Sequence, residues 1–457
     1  MNRHPSSKTP GLSGPSFARG VLFRLLREMR HGKLELRLPE GDTVTFGKPT
    51  ATGSLHDARE NAGRLPAPDA EIRIRNEAFF KKCLLYGDIG FGESYVDGDW
   101  DTPSIQKVIR WFIANTEHTR AAPGTGGRFA PVNLLTWANR IRHRLRRNSL
   151  RMSRRNIREH YDLSRQFFAS FLDSGMTYSS GLWNQGAATL EEAQEAKYER
   201  FCRSLRLRPE HSILEIGCGW GGFMEYAARN YGCRVTGLTL SRDQADFTAT
   251  RLEQAGLDDR ARVEMIDYRE VRGGFDRIVS IEMIEAVGYR YLPVFLRRCA
   301  ALLNPRGLLG MQFITYPDSR YASLRREVDW IQKHIFPGSL LLSVNRINAL
   351  LQKSGLQLHE MRDMAPDYAR TLREWQTRFQ GELSRIRDLG FDGGFIRKWS
   401  YYLSYCEAAF ASRNISVVQT IHSPANNPEL DRRAEPLEPG PARARSIIPA
   451  GERVGQL

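Results

Sequence analysis

The chain has 457 residues, enough for two or three domains, and 41% of them are hydrophobic, the make-up of an ordinary globular protein. No apolar run approaches the roughly 20 residues that a bilayer-spanning helix needs, which argues against a helical membrane protein. The formal net charge of +15, mostly arginine, points to nucleic acid, an anionic membrane surface or acidic small molecules, or simply to well-solvated arginines.

Residues 1–15 are polar and read as disordered, without the apolar core of a secretory signal, so export is not expected. Next, "FARGVLFRLLREMRHG" carries helical periodicity. Leu22, Leu25, Leu26 and Met29 share one face and Arg24, Arg27 and Arg30 take other positions. Such a helix either lies on a membrane surface or docks on its own domain; the second is the commoner outcome. "KLELRLPEGDTVTF" alternates on both sides of a Pro-Glu-Gly-Asp turn and predicts a hairpin. "AEIRIRNEAFFKKCLLYGDIGFGESYVDGDW" predicts a strand, a helix and a glycine-punctuated loop. Together these give a small α+β domain over 16–115.

Residues 116–131 are a Pro/Gly linker. Beyond it Arg140, Arg144, Arg147, Arg151, Arg154 and Arg158 recur at helical spacing. No aromatic residues interleave with them for base stacking, so lipid headgroups or plain solvation fit better than RNA. The linker and this helix span 116–155.

From His211 onward strands and helices alternate, which predicts a doubly wound, mostly parallel α/β sheet. The strands fall in "HSILEIG", "RVTGLTL", "ARVEMID", "DRIVSIEM" and "GLLGMQFIT", and Ser241 is placed to cap the helix after the second. An aromatic-rich helical insertion follows at about 316–410, interrupted by a candidate strand at "LQLHEM". "ISVVQTIHS" supplies a last strand, and 424–457 reads as a disordered tail. The six cysteines are scattered with no CxxC pair, so neither a metal site nor a disulfide framework is expected, and reduced cytoplasmic thiols are the default.

The chemistry centres on "LEIGCGWGGF". Its glycines fit two motifs: Gly217-x-Gly219-x-x-Gly222 of a dinucleotide turn, or Glu215-x-Gly217-x-Gly219-x-Gly221 of an S-adenosylmethionine turn. A nicotinamide site needs an acid at the end of the second strand, where this chain reads "GLTLS". No Lys-Ser/Thr follows, which removes a nucleoside triphosphate loop. Glu215 beside the turn suits a cofactor with an amino acid and a sulfonium, and Asp267 and Tyr268 after the third strand are placed for an adenine. Taken singly, Glu215 also reads as a solvated strand-end acid and Asp267 as a helix cap.

"LEIGCGWGGF", "GLTLSRDQ", "IDYREVRGGFDRIVSIEMIEAVG", "IFPGSLLLS", "YYLSYCEAAFASRNISVVQ" and "REHYDLSRQFFASFLDSGMTYSSGLW" together resemble the cyclopropane-fatty-acyl-phospholipid synthases and mycolic acid cyclopropane synthases. The likeness runs over 156–423 and more loosely over 32–115. It implies a seven-stranded class I methyltransferase sheet with a helical acyl-chain insertion. It also implies transfer of a methyl or methylene group from S-adenosyl-L-methionine to the cis double bond of unsaturated membrane phospholipids. The enzyme would work from the cytoplasm at the inner face of an anionic membrane, with no nucleic acid partner and with room for a homo-oligomer. The resemblance places Tyr178 and Ser179 over the methionine end of the cofactor and Gly217 and Gly219 beneath it. Thr239 and Gln244 fall at the ribose, and Asp267, Tyr268 and Arg269 at the adenine. It further implies a bound bicarbonate ion that closes the ring as base. Glu285 would anchor the ion, with Ser180, Gln312, the backbone of Ile314 and the hydroxyl of Tyr368 around it.

Three positions depart from the family pattern: Ser180 replaces a cysteine, Ala286 a histidine and Gln312 a second histidine. Loss of a thiol and an imidazole makes methyl transfer a firmer expectation than ring closure, and leaves methyl-branched, methylene and hydroxylated products open. Outside this chemistry stand methylation of RNA or a small molecule, and a non-catalytic lipid-binding protein. No Asn/Asp-Pro-Pro-Tyr/Phe motif follows the fourth strand, which argues against base methylation.

Overall fold

The computed structural model describes residues 15–48, 68–116, 164–183, 186–325 and 328–430. The polar N-terminus, the linker beyond residue 116, the arginine series Arg140–Arg158 and the chain after Leu430 lie outside them.

The first sheet has the order β2-β1-β3-β4, built from β1 (Gly32–Arg37), β2 (Thr43–Lys48), β3 (Ala70–Ile74) and β4 (Trp100–Asp101). β1 and β2 form the expected antiparallel hairpin, and its turn closes through Gly41 N donating to Leu38 O at 2.9 Å. Alternation decides the buried face: Leu34, Leu36, Ile72 and Ile74 point inward. Helix α1 (Pro15–Arg27) docks on this domain. Phe23 meets Phe46 and Phe80 edge to face, Leu26 is buried, and Arg19 reaches Glu40 and Glu77. Two further helices follow, α2 (Ala78–Tyr86) and α3 (Asp88–Val96), then α4 (Ile105–Thr116).

Helix α3 corrects the sequence reading, which expected a glycine-punctuated loop at "GDIGFGESYV". The glycines here serve close packing. A Cβ on Gly90 would stand 2.0 Å from the carbonyl oxygen of Lys82, and one on Gly92 would stand 2.4 Å from the indole of Trp330. The intrinsic cost of glycine in a helix, about 1 kcal/mol each, is overridden by these contacts.

The second sheet has seven strands in the order β10-β11-β9-β8-β5-β6-β7. These are β5 (Ser212–Ile216), β6 (Arg234–Leu238), β7 (Ala261–Glu264), β8 (Phe275–Ile281), β9 (Leu303–Thr315), β10 (Leu356–Asp363) and β11 (Ser416–Pro424). Strands β5 to β9 run parallel, and β11 is antiparallel to both neighbours, β9 and β10. The candidate strand at "LQLHEM" is thus a full sheet member, and the insertion is split rather than continuous. Both faces are covered: Leu214 and Ile278 look into one core, Ile213 and Val279 into the other. Helices α5 (Leu190–Ser204), α6 (Gly222–Tyr231), α7 (Arg242–Gln254), α8 (Leu292–Leu302) and α9 (Val344–Gln352) supply the layers. Ser241 caps α7, accepting from Gln244 N, as its sequence position implied.

Two long helices, α10 (Ala365–Gly381) and α11 (Gly393–Ala411), bring aromatic side chains together over the carboxyl edge of the sheet. They also tie in the first domain. Arg397 donates to the carbonyls of Tyr95 and Trp100 at 2.7 and 2.9 Å, and Lys333 pairs with Glu93. Order continues past 424, where the tail was expected to begin. Glu429, buried, pairs with Arg208 at 3.0 Å and lies 3.6 Å from the buried Arg277, so those residues are held by charge.

Candidate active site

β5 lies between β6 and β8, so the chain order reverses at its carboxyl end and leaves a crevice there. The glycine turn fills the edge of that crevice. Gly217, Gly219 and Gly221 all have positive φ (83°, 54° and 82°), but for different reasons. A Cβ on Gly217 would strike Met283, and one on Gly221 would strike Thr248, whereas one on Gly219 meets nothing within 4 Å. Gly219 alone of the three faces open space.

That space is a cavity of about 200 Å³. Ten of the eleven residues expected at the cofactor line it: Tyr178, Ser179, Glu215, Gly217, Gly219, Thr239, Gln244, Asp267, Tyr268 and Arg269. The eleventh, Gly221, does not. Its glycine is required by the packing of α7, and Gly222 takes the place on the wall.

The polar groups of the wall are already ordered. Thr239 Oγ1 donates to Gln244 Oε1 at 2.7 Å. Arg269 grips Asp267 through two parallel bonds of 2.7 and 2.8 Å, and its guanidinium lies over the rings of Tyr268 and Tyr291. Glu215 differs. It is buried, its Oε2 has no hydrogen-bond partner, and burial pushes its carboxyl well above the usual range. An unsatisfied buried acceptor at a cavity wall fits a ligand that carries donors, such as an amino acid ammonium.

Lys197 is a residue the sequence reading missed. It is fully buried, donates to Ser179 Oγ at 2.8 Å and to Gln194 Oε1 at 2.6 Å, and burial draws its pKa down to about 8. The signal was present: the interior face of α5 runs Leu190, Ala193, Gln194, Lys197, Tyr198, Phe201, and a lysine sits inside that stripe.

Behind the cavity the five residues expected at the reacting centre are assembled, but around two carboxylates rather than one. Glu285, buried at the end of β8, accepts from Ile314 N at 2.6 Å. Its Oε2 has no partner, and burial together with the nearby charge of Glu282 pushes it up to about 8. Ser180 N, at 2.8 Å, and Gln312 Nε2, at 2.6 Å, instead donate to Glu282 Oε1, and the Tyr368 hydroxyl also hydrogen-bonds Glu282. The Ser180 hydroxyl points away and donates to Gly181 O. Glu282 was legible as the first acid of "IEMIEAVG" and went unremarked.

On the far side Tyr178 joins an aromatic wall. Its ring lies 5.3 Å from those of Phe168 and Trp375, and its hydroxyl is 2.9 Å from that of Tyr402.

The sheet order, the crevice and the glycine turn define a class I S-adenosylmethionine-dependent methyltransferase. Comparison with known proteins narrows this. The family "Mycolic acid cyclopropane synthetase" matches residues 148–420, and the chain belongs to it. The tuberculostearic acid methyltransferase UfaA1 of Mycobacterium tuberculosis is 36% identical over 387 residues, covering 82% of this chain and 86% of that one. The cyclopropane-fatty-acyl-phospholipid synthase of Escherichia coli K12 is 34% identical over 360 residues, covering 78% and 88%. Among solved structures, the cyclopropane synthase MmaA2 of M. tuberculosis superposes with a TM-score of 0.55 at 30% identity, covering 59% of this chain and 97% of that one. The mycolic acid cyclopropane synthase CmaA1 complexed with SAH and CTAB gives the same score at 28% identity, over the same shares.

Proposed function

We propose that the chain methylates the cis double bond of unsaturated acyl chains carried by membrane phospholipids. The observation that carries this is the junction at Tyr178, where the cofactor cavity, with two buried carboxyl groups behind it, meets an aromatic wall. An alkene offers no heteroatom for a protein to activate, so the acceptor must be held in place and kept dry. The aromatic side chains of α10 and α11 exclude water, and their faces favour a positively charged carbon. The names of the relatives above, a tuberculostearic acid methyltransferase and a cyclopropane-fatty-acyl-phospholipid synthase, support the same substrate class.

In this reading Glu215 takes the ammonium of the cofactor's amino acid, with Gly217 and Gly219 beneath the chain and Tyr178 and Ser179 closing the methionine end. Thr239 and Gln244 hold the ribose, and Tyr268 and Arg269 border the adenine with Asp267 locking the arginine. When bound, S-adenosylmethionine supplies an electrophilic methyl group. The bicarbonate ion implied by the resemblance does not fit the residues present. Ser180 N, Gln312 and Tyr368 already serve Glu282, and Ile314 N serves Glu285. A further anion beside the Glu282 carboxylate would meet repulsion, with only the proton of Glu285 left to offset it.

The test is expression in a host with unsaturated phospholipids, followed by mass spectrometry of the fatty acids. A gain of one CH2 per modified chain is expected, and the carbon skeleton separates ring from branch. Unchanged fatty acids, with S-adenosylmethionine bound in calorimetry, would refute the acceptor. Ser180 and Gln312, in place of a thiol and an imidazole, favour a second reading in which the same methyl transfer ends in a non-ring product. The same spectra decide it.

A further inference from the structure

We infer that Glu282 is the general base of this reaction, its carboxylate standing where a bound anion was expected and removing the proton that the methylated chain must lose. The inference rests on the acyl-chain reading above.

Backbone placement comes first. Glu282 follows β8 with φ of 48°, a left-handed conformation that non-glycine residues rarely adopt, and it is held there by its own N–H donating to Gln312 O at 2.8 Å. A strained non-glycine residue at a strand's carboxyl end is retained where its side chain has work to do. Glu282 lines the cofactor cavity, whereas Glu285 does not.

The donor set is the second observation. Ser180 N, Gln312 Nε2 and the Tyr368 hydroxyl come from three separate parts of the chain and meet on one carboxylate. They form a cradle for an anion, and the anion is part of the protein. The departures from the family pattern then make chemical sense together. Gln312 donates but never titrates, so it does not compete for the proton as an imidazole would. Only the backbone of Ser180 is used, so no thiol is needed. Glu285 alongside, pushed up to about 8 by burial and by the charge of Glu282, carries its proton at neutral pH. Burial raises the Glu282 carboxyl as well, and the bonds from Ser180 N, Gln312 and Tyr368 work against that rise and favour its ionised form. The buried cation of Lys197 favours that state by its charge.

The step balances without any further reactant. Methyl addition leaves a positive charge on the neighbouring carbon of the acyl chain. A C–H bond of the new methyl breaks and its proton forms an O–H bond on Glu282. The freed electron pair closes onto the cationic carbon as a new C–C bond, giving the ring. The proton later leaves to solvent.

The experiment compares wild type, Glu282→Gln and Glu282→Gly on unsaturated phospholipid vesicles, in buffer stripped of carbon dioxide and in buffer with added bicarbonate. Calorimetry with S-adenosylmethionine checks that each variant folds and binds. Glu282→Gly also relieves the positive φ, which offsets part of the stability lost when the three donors lose their acceptor. Wild-type rates should be equal in the two buffers. Both variants should lose on the order of 10²–10⁴-fold in stripped buffer, the usual contribution of a positioned base. Added bicarbonate should restore part of the loss in Glu282→Gly, which opens the cradle. With a methyl-deuterated donor, Glu282→Gln should show a larger kinetic isotope effect than wild type, which a merely structural role would not produce. An active wild type that requires bicarbonate, or a Glu282→Gln enzyme at the wild-type rate, overturns the assignment alone. A wild type inactive on every unsaturated lipid overturns the acyl-chain reading and this assignment with it.

Discussion

Single residues separate the part of the glycine turn that meets a ligand from the part that only packs. Gly219→Val places a side chain in open cavity, at a local backbone cost of about 1–2 kcal/mol. The variant should fold, with a melting temperature within several degrees of wild type, and lose S-adenosylmethionine binding in calorimetry. Gly221→Val drives a side chain into Thr248, whose Cγ2 is 2.6 Å from the Cβ position, and adds backbone strain. It should cost roughly 2–5 kcal/mol of stability. Equal behaviour of the two variants would show that the turn acts only as structure. Glu285 gives a prediction in pH. Its carboxyl holds a proton more tightly in the folded chain than in the unfolded one, with a pKa of about 8 against 4.5. Its contribution is therefore complete below about pH 4.5 and is lost as pH rises through about 8, at up to about 1.4 kcal/mol per unit. Glu285→Gln removes this dependence. Thermal melts from pH 5 to pH 8 should show wild type losing stability relative to the variant, and parallel curves would contradict the buried, protonated state.

Elements show where sequence patterns sufficed and where they failed. The hairpin β1–β2 and the strands around the glycine turn follow from local alternation and turn residues, and all were legible. So was the cap at Ser241, because it depends on neighbours close in the chain, whereas the place of Glu285 came from the family resemblance. Helix α3 was not. Its glycines signal a loop by propensity, and the reason for them, the indole of Trp330, lies more than 200 residues away. The same holds for Glu282, whose donors come from Ser180, Gln312 and Tyr368. Both acids of "IEMIEAVG" are visible, but only the fold shows which one faces the cavity. Helix α3 carries its own prediction. Gly92→Val should overpack the contact with Trp330, because a Cβ there stands 2.4 Å from the ring. The expected loss is about 1–3 kcal/mol in chemical denaturation. Gly98→Ala, at a turn glycine with nothing within 4 Å, serves as a comparison with positive φ but no overpacking. An equal loss in the two variants would remove the packing explanation for the helix glycines.

At the scale of the whole molecule, the acceptor proposed above is part of a surface the enzyme must reach. No helix among the described residues is long and apolar enough to cross a membrane. On that reading the acyl chain is drawn from a bilayer, and the formal charge of +15 is a means of docking on it. In α1 Leu22, Phe23 and Leu26 are turned into its own domain while Arg24 and Arg27 stay exposed and Phe17 is the one large apolar side chain of the helix left exposed, so on that reading this helix contributes charge more than an inserted hydrophobic wedge. The arginine series from Arg140 to Arg158 lies outside the described residues, and its sequence places nine more positive charges in one stretch. Each basic residue near an anionic surface is worth about 1 kcal/mol, and the attraction is screened within roughly 10 Å at 0.1 M salt. Binding to vesicles rich in anionic lipid should accordingly exceed binding to neutral vesicles and weaken steadily as salt rises, as read by co-sedimentation. Replacing Arg144, Arg147, Arg151 and Arg154 by glutamine should flatten that salt dependence and raise the apparent KM for vesicle substrate. S-adenosylmethionine binding, read by calorimetry, should not change. Equal binding to neutral and anionic vesicles at low salt would assign the positive charge to solvation alone, and the acyl chain would then have to be captured by apolar contact at the aromatic wall.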